Sequence, residues 1–377
     1  MKIAYMSVSP LGTGTANCAQ VAGMCNAFAE LGHEVDLFAC HAGYSEPEIR
    51  DWYQLNSGIR LFLLPGCWFP GCGTLLYGWK VRQAFSRHCN PDLVYGRHLL
   101  SLYLLRNQGL PIIYESHRPE NKLASFFFKQ LVRSPDFRKL VVVSRALKDE
   151  YVRAFGNLLE GKILVAPNGS DDCHLVDDTE LPQGGSGDRP VFGYTGGIDR
   201  RKGLQIIIEL AKRIPEAEFQ VIGASREEAE SNYGNVGHDN LHFLGYQNPA
   251  SIPGYIQAFH GALAPYQPAG YRQRRKRDDT DWGSPLKIFE YMACGTPIIA
   301  SDIPMVRELL VDDESALLCE PDNLDEWERA ARRILSDSSL KKRLGDNARA
   351  QHQQHYRRLA RARKVLGGRD TNQISDG

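Results

Sequence analysis

Lys287 and Glu290 carry opposite charges three residues apart, in the segment Asp281-Trp-Gly-Ser-Pro-Leu-Lys-Ile-Phe-Glu-Tyr-Met-Ala-Cys-Gly-Thr-Pro-Ile-Ile-Ala-Ser-Asp302. The segment reads as loop, short helix, turn and buried strand. Ser284 suits an N-cap, and Pro285 the first helical position, where a missing N–H costs nothing. Gly295 is placed to end the helix, Pro297 to stop it continuing, and Ile298–Ala300 runs on as a strand. The free N–H groups and the dipole of such a helix start attract an anion. Lys287 adds a cation in the first turn, which the dipole disfavours unless an anion sits there too. A phosphate held at the tip would leave Glu290 one helical pitch away, roughly 5 Å. That suits a carboxylate accepting hydrogen bonds from ribose hydroxyls. An ordinary capped helix with a surface Lys–Glu pair fits the same residues, and geometry alone weighs the two evenly.

Other segments offer chemistry of related kinds. Gly193-Tyr-Thr-Gly-Gly-Ile-Asp-Arg-Arg-Lys-Gly-Leu204 follows a strand and opens a helix, with Lys202 at the helix entrance. Its glycines let backbone approach a ligand; a flexible turn with solvated cations is the plainer reading. Ser9-Pro-Leu-Gly-Thr-Gly-Thr-Ala16, which holds Gly12, Thr13 and Gly14, follows the first strand. It could be half of a dinucleotide fingerprint, but Asn17 stands at the third glycine position and Cys40-His41 where an acidic residue is wanted. Tyr114-Glu-Ser-His-Arg-Pro119 puts His117 at a strand end, with Glu115, Arg118 and the strand-end Arg97 as weaker candidates. Asp279-Thr-Asp281 has the spacing of a metal-binding Asp-x-Asp, yet it sits beside the basic run Arg272-Gln-Arg-Arg-Lys-Arg277 and reads as a charged loop. That run suits an acidic acceptor, an anionic lipid surface or plain solvation.

The Ser284–Asp302 segment resembles the donor-binding motif of the GT-B glycosyltransferases, family 4 type. The resemblance extends over most of the chain. It implies that Glu290 binds the donor ribose and that the backbone of Ser284, Leu286 and Lys287 holds the diphosphate. It matches Lys202 to a diphosphate-binding lysine, with Arg201 or Arg200 replacing an arginine whose position falls on Gly197. Gly12, Thr13 and Gly14 become a glycine loop facing donor and acceptor, and Tyr246 a further donor-side residue. His117 matches a histidine that contacts the transferred sugar. The expected catalytic residues are therefore His117, Lys202 and Lys287. The family's common Glu-x7-Glu form is broken here, because Trp282 occupies the first glutamate position. The implied reaction moves a hexose from a nucleotide-diphosphate sugar to a hydroxyl acceptor, with retention of configuration. It uses no metal, no cofactor and no dedicated protein nucleophile; the leaving phosphate helps deprotonate the acceptor. Alternatives are a non-catalytic sugar-nucleotide or glycan-binding protein and a nucleotide-sugar epimerase.

These residues need a scaffold, and the apolar pattern supplies one. Short apolar runs alternate with amphipathic segments, the signature of parallel α/β units. Strands are expected at 3–8, 35–39, 59–64, 93–95, 112–115, 140–143 and 163–166. After a polar stretch over 169–189 they resume at 191–194, 219–222, 241–244, 262–265, 298–300 and 316–318. The expected fold is α/β, GT-B, with two doubly wound Rossmann-like domains facing a cleft: residues 1–168 on the acceptor side, a linker at 169–189, and 190–350 binding the nucleotide sugar. Residues 351–377 are expected to cross back onto the first domain.

The length of 377 residues suits two domains, and the zero formal net charge argues against a nucleic-acid partner. Nine cysteines without a Cys-x-x-Cys point to a reducing cytosol, Cys67 and Cys72 included. The chain opens directly as a strand, without a signal-peptide pattern, and no apolar run is long enough to cross a bilayer. The expected location is cytoplasmic, with any membrane contact peripheral.

Overall fold

The structure is a computed structural model that describes residues 1–66, 73–173, 189–268 and 282–367. Cys67, Cys72, Arg272–Arg277, Asp279, Asp281 and most of the expected linker lie outside the described residues. The chain divides into two compact units, Met1–Asn168 with the segment from Arg358 onward, and Gly169–Arg357.

The first unit is built on seven parallel strands: β1 (Lys2–Leu11), β2 (Glu34–His41), β3 (Ile59–Pro65), β4 (Leu93–Gly96), β5 (Ile112–Ser116), β6 (Phe137–Val142) and β7 (Ile163–Val165). Their order is β3-β2-β1-β4-β5-β6-β7. The second has six: β8 (Val191–Thr195), β9 (Glu218–Ile222), β10 (Leu241–Gly245), β11 (Gly261–Ala264), β12 (Ile298–Ser301) and β13 (Leu317–Cys319). Their order is β10-β9-β8-β11-β12-β13. Each sheet thus reverses direction once, between β1 and β4 and between β8 and β11. Loops diverge at such a reversal, which opens a crevice at the strands' carboxyl ends.

Both sheets are covered by helices, so their inner strands are buried on both faces and read as continuous apolar runs, whereas the edge strands β3, β7 and β10 are partly exposed. Every expected strand is present, with changes only at the ends. Helix α1 (Ala16–Glu30) starts where the Thr15 side chain accepts from the Cys18 N–H. Phe28, Tyr5 and Tyr95 cluster between α1 and the sheet, with ring centroids 5.1–6.5 Å apart. In the second unit Trp327, Phe192 and Phe219 are fully buried, and the Trp327 indole N–H donates to the Glu320 carbonyl at 3.0 Å.

Three helices matter for the site. Helix α2 (Leu204–Arg213) follows β8, and α3 (Leu286–Cys294) precedes β12. Gly295 ends α3 in the left-handed region at φ +69°, as expected, with its N–H bonded to Met292. The expected boundary at residue 351 falls inside a helix that runs from Ser338 to His355 within the second unit. The chain rejoins the first unit only with α4 (Arg358–Leu366), which packs on α1. At the other crossing, the Ser170 hydroxyl donates to the Phe289 carbonyl of α3 at 2.9 Å and lies 2.8 Å from His352 Nε2.

Gly203, just before α2, has φ +75°, and a Cβ there would lie 1.7 Å from the Pro265 carbonyl oxygen. Gly203→Ala should therefore cost more than about 2 kcal/mol, since backbone strain and a backbone clash add. Gly197→Ala, in open space at an ordinary φ, should stay within about 0.5 kcal/mol. Urea unfolding followed by tryptophan fluorescence compares them; equal midpoints would refute the steric argument.

Candidate functional site

In the second unit the β8/β11 reversal brings two cations together. β8 ends at Thr195, whose N–H donates to the Tyr291 hydroxyl at 2.9 Å. That bond ties α3 to the carboxyl end of β8. The chain then turns through Gly196 at φ +121°, where a Cβ would lie 3.4 Å from Lys287 Nζ. Gly223, at φ +103°, lies so close that its Cβ would meet the Gly196 carbonyl at 2.9 Å. The two glycines let the β8 and β9 ends pack backbone to backbone beside the lysine side chain.

Lys287 Nζ sits 3.4 Å from the ring centroid of Tyr194 and 5.4 Å from that of Tyr266. Lys202 approaches the same Tyr266 ring at 5.2 Å. It is carried by a 3-10 turn, Arg200–Lys202, that the Asp199 side chain caps. Aromatic faces attract ammonium groups, so the two tyrosines form a floor on which both cations rest. Lys287 is only 8 % exposed. Burial, and then the neighbouring Lys202 charge, hold its ammonium well below the ordinary lysine value, with Glu290 and Asp199 pulling the other way. The arrangement is a buried positive site that an anion would complete.

The expected cap of α3 needs correction. Pro285 occupies the N-cap position in extended conformation, the helix begins at Leu286, and no side chain caps it. Pro285 is held extended at ψ 112°, so Ser284 stands one residue too early to cap. Glu290 is half-buried one turn below Lys287, and Trp282 is buried. Arg201 is exposed and engaged by Asp199 at 3.2 Å. Gly197 and Tyr246, which is 67 % exposed, line an adjoining groove of about 410 Å³ with Gly223, Ser231 and Asn232.

The first unit holds Gly12, Thr13, Gly14 and His117. Gly12 (φ +99°) and Gly14 (φ +66°) shape the loop after β1, and Thr13 Oγ1 donates to the Pro10 carbonyl at 3.0 Å. His117 leaves β5 with Nε2 2.6 Å from Glu115 Oε1. Burial, and then the Arg97 charge, pull its imidazole down to about 4. His117 is therefore neutral at pH 7. Because a carboxylate only accepts, Nε2 carries the hydrogen and Nδ1 keeps a lone pair.

Sequence reasoning missed Tyr194, Tyr266 and Tyr291, whose only signal was an aromatic residue at or just beyond a strand or motif position. It also missed Arg361, on α4. Arg358, Arg361, Ala362 and Val365 share one helical face, and all four are buried; charges spaced like core residues were the available signal. Among the described residues no group of three or more His, Cys, Asp or Glu side chains is arranged to hold a metal ion, and no helix is long and apolar enough to cross a membrane.

Residues 19–172 match the model of glycosyltransferase family 4, and residues 177–351 that of the glycosyl transferases group 1. The chain belongs to the GT-B glycosyltransferases of the family 4 type. This glycosyltransferase is 20 % identical over 294 residues to an uncharacterized glycosyltransferase of Methanocaldococcus jannaschii, covering 74 % of this chain and 76 % of that one. It is 26 % identical over 266 residues to the phosphatidyl-myo-inositol mannosyltransferase of Mycolicibacterium smegmatis, covering 68 % of this chain and 64 % of that one. Its fold matches Anabaena HepE, solved in complex with UDP-glucose, at a TM-score of 0.74 and 17 % identity over 97 % and 98 % of the two chains. The protein is a sugar-transfer enzyme.

Lys287 gives the ligand-free glycosyltransferase a signature. Folding lowers its pKa, so between that value and about 10.4 the unfolded chain holds a proton the folded one has released. Stability should rise with pH across this window, because the penalty of the buried charge disappears. Lys287→Met should flatten the rise and be at least as stable at pH 7. Parallel stability–pH curves for the two proteins would refute the assignment.

Proposed function

We propose that the chain transfers a hexose from a nucleotide-diphosphate sugar to a hydroxyl acceptor, with retention of anomeric configuration. The convergence of Lys202 and Lys287 on the Tyr266 ring carries this reading. In it the two ammonium groups hold the diphosphate. Negative charge grows on that group as the glycosidic bond breaks, so cations fixed beforehand stabilise the transition state more than the ground state. They supply the neutralisation that a divalent ion provides elsewhere, and the reaction proposed needs no metal or other cofactor. The backbone of Ser284, Leu286 and Lys287 adds hydrogen-bond donors at the uncapped start of α3. Glu290 takes the ribose hydroxyls, and the groove beside Gly197 and Tyr246 offers room for the base. The UDP-glucose complex of HepE supports a donor of this class.

His117 contacts the transferred hexose, its bare Nδ1 accepting from a sugar hydroxyl. In this reading the Gly12–Gly14 loop offers backbone to the donor and acceptor. The departing phosphate oxygen takes the acceptor's proton, and the acceptor attacks from the face it leaves.

Lys202→Ala and Lys287→Ala should each lower turnover about 10²–10³-fold, the loss typical of one preorganised charge-stabilising group. The assay is release of nucleoside diphosphate from a nucleotide-sugar panel, run with and without chelator. Chelation should leave the wild-type rate unchanged, and the product should keep the donor's anomeric coupling by NMR. Wild-type turnover in both lysine variants at saturating donor would overturn the site.

Glu290→Gln should weaken binding of the free nucleoside diphosphate by about 1.5–3 kcal/mol, the worth of a hydrogen bond to a charged group. Titration calorimetry measures it. An unchanged affinity would leave Glu290 no role beyond its electrostatic pull on Lys287.

A further inference from the structure

The last described helix reaches the hydrogen-bond partner of a residue assigned to the reaction. Arg361, on α4, places Nη2 3.0 Å from Glu115 Oε2, and both side chains are buried, at 3 % and 0 % exposure. Glu115 Oε1 in turn receives His117 Nε2 at 2.6 Å. We propose that Arg361 is a positioning residue for His117, acting through Glu115, so that the helix following the return to the first unit sets the orientation of the strand-end histidine. This rests on the reading of His117 given above.

A carboxylate free to rotate would let the imidazole rotate with it. Here Oε2 is held by Arg361 and by the Tyr95 hydroxyl. Arg361 is itself fixed: Nε donates to the Pro167 carbonyl at 2.8 Å, and Nη1 lies 3.1 Å from Met24 Sδ on α1. With one oxygen locked on the helix side, the other has a single place, and the His117 ring plane follows from it. The same pairing settles the hydrogen. Arg361 keeps Glu115 ionised, an ionised carboxylate only accepts, and His117 must present its hydrogen at Nε2 and its lone pair at Nδ1. The His117 side chain is 23 % exposed, so that lone pair has a route to a ligand.

Other groups facing this cluster do not replace Arg361. Arg97, beyond β4, approaches Oε1 at 3.8 Å, too long for a hydrogen bond. Tyr5 on β1, Tyr95 on β4 and Cys25 on α1 are buried, and burial holds their ionised forms off. Arg361 is thus the cation in hydrogen-bonding contact with Glu115. Without it the carboxylate is free to turn, the imidazole turns with it, and one of the charges that oppose protonation of His117 is gone.

The test uses the full chain labelled with ¹⁵N-histidine, with the His117 resonances identified by their loss in His117→Ala. In the wild type, long-range ¹H–¹⁵N spectra should show Nδ1 free of hydrogen from pH 6 upward. In Arg361→Met the midpoint for protonating His117 should rise by at least about one pH unit, the effect of deleting a nearby cation. Turnover should fall about 10–100-fold with the donor KM little changed, as expected for lost orientation. Arg361→Lys, which can still make the single contact to Oε2, should recover much of both. Unchanged His117 spectra and turnover in folded Arg361→Met would overturn the proposal. If that variant does not fold, Glu115→Gln/Arg361→Met removes both charges together. It should fold and stay impaired, and wild-type turnover there would equally overturn it. His117→Ala separates the two readings. Wild-type transfer in that variant would refute the role of His117 itself, whereas a slow His117→Ala beside a fast Arg361→Met would refute only the positioning by Arg361.

Discussion

A lysine ammonium held out of water is the constraint on which the second unit turns. Lys287 lies on the Tyr194 ring with Lys202 one ring away. Folding alone does not favour two like charges there. The surrounding features make sense as the means of keeping them in place. Gly196 takes a left-handed turn beside the ammonium, Gly223 lets its backbone approach the Gly196 carbonyl, and Gly203 lets the Lys202 turn press on Pro265. Tyr291 locks the helix bearing Lys287 to the end of β8. Each is a local sacrifice of conformational freedom or packing at one crevice, the pattern expected where a site, not the core, sets the sequence.

The scaffold was legible because parallel sheets advertise themselves. Strands covered on both faces become apolar runs such as Ile298–Ala300, bounded by Gly and Pro, and these need no periodicity to be seen. The ends were less legible. Ser284 has the chemistry of a cap, but its place depends on the conformation that Pro285 takes, which no local propensity fixes. The helix through residue 351 continues to His355 because its inner face, Leu344, Ala348 and His352, stays buried within the second unit. Only the packing shows that, since the basic residues on either side of Tyr356 look alike in sequence.

The candidate site was legible where chemistry lies in a motif and illegible where it depends on pairing across the fold. Lys202, Lys287 and Glu290 stand in short segments with glycines and helix starts, where anion-binding chemistry is to be expected. The tyrosine floor does not. Tyr194 ends a strand and Tyr266 follows one, and nothing in either segment says that the two rings meet under one ammonium. Arg361 was hidden more deeply. A basic residue in a basic C-terminal helix reads as solvated; its spacing with Ala362 and Val365 hints at burial, but its partner appears only when Glu115, on a strand far away in the chain, is seen opposite it.

The two clusters of charge differ in how they are balanced, and the difference tells binding from orientation. Around Glu115 the charges are compensated by the protein: a buried carboxylate meets Arg361, with His117 and Arg97 beside it. Such a cluster is complete when the chain has folded, and removing one member leaves another buried and unpaired. It can fix a ring and a hydrogen without recruiting anything from solution. Around Lys287 the compensation is partial. Its ammonium rests on an aromatic face, and burial and the Lys202 charge weaken its hold on its own proton more than Glu290 and Asp199 strengthen it. An anion arriving there restores that hold and relieves the repulsion at once. Part of the free energy of binding an anion is thus stored in the folded protein before the ligand comes; in the transfer proposed above it is released at the diphosphate, whose charge grows as the glycosidic bond breaks.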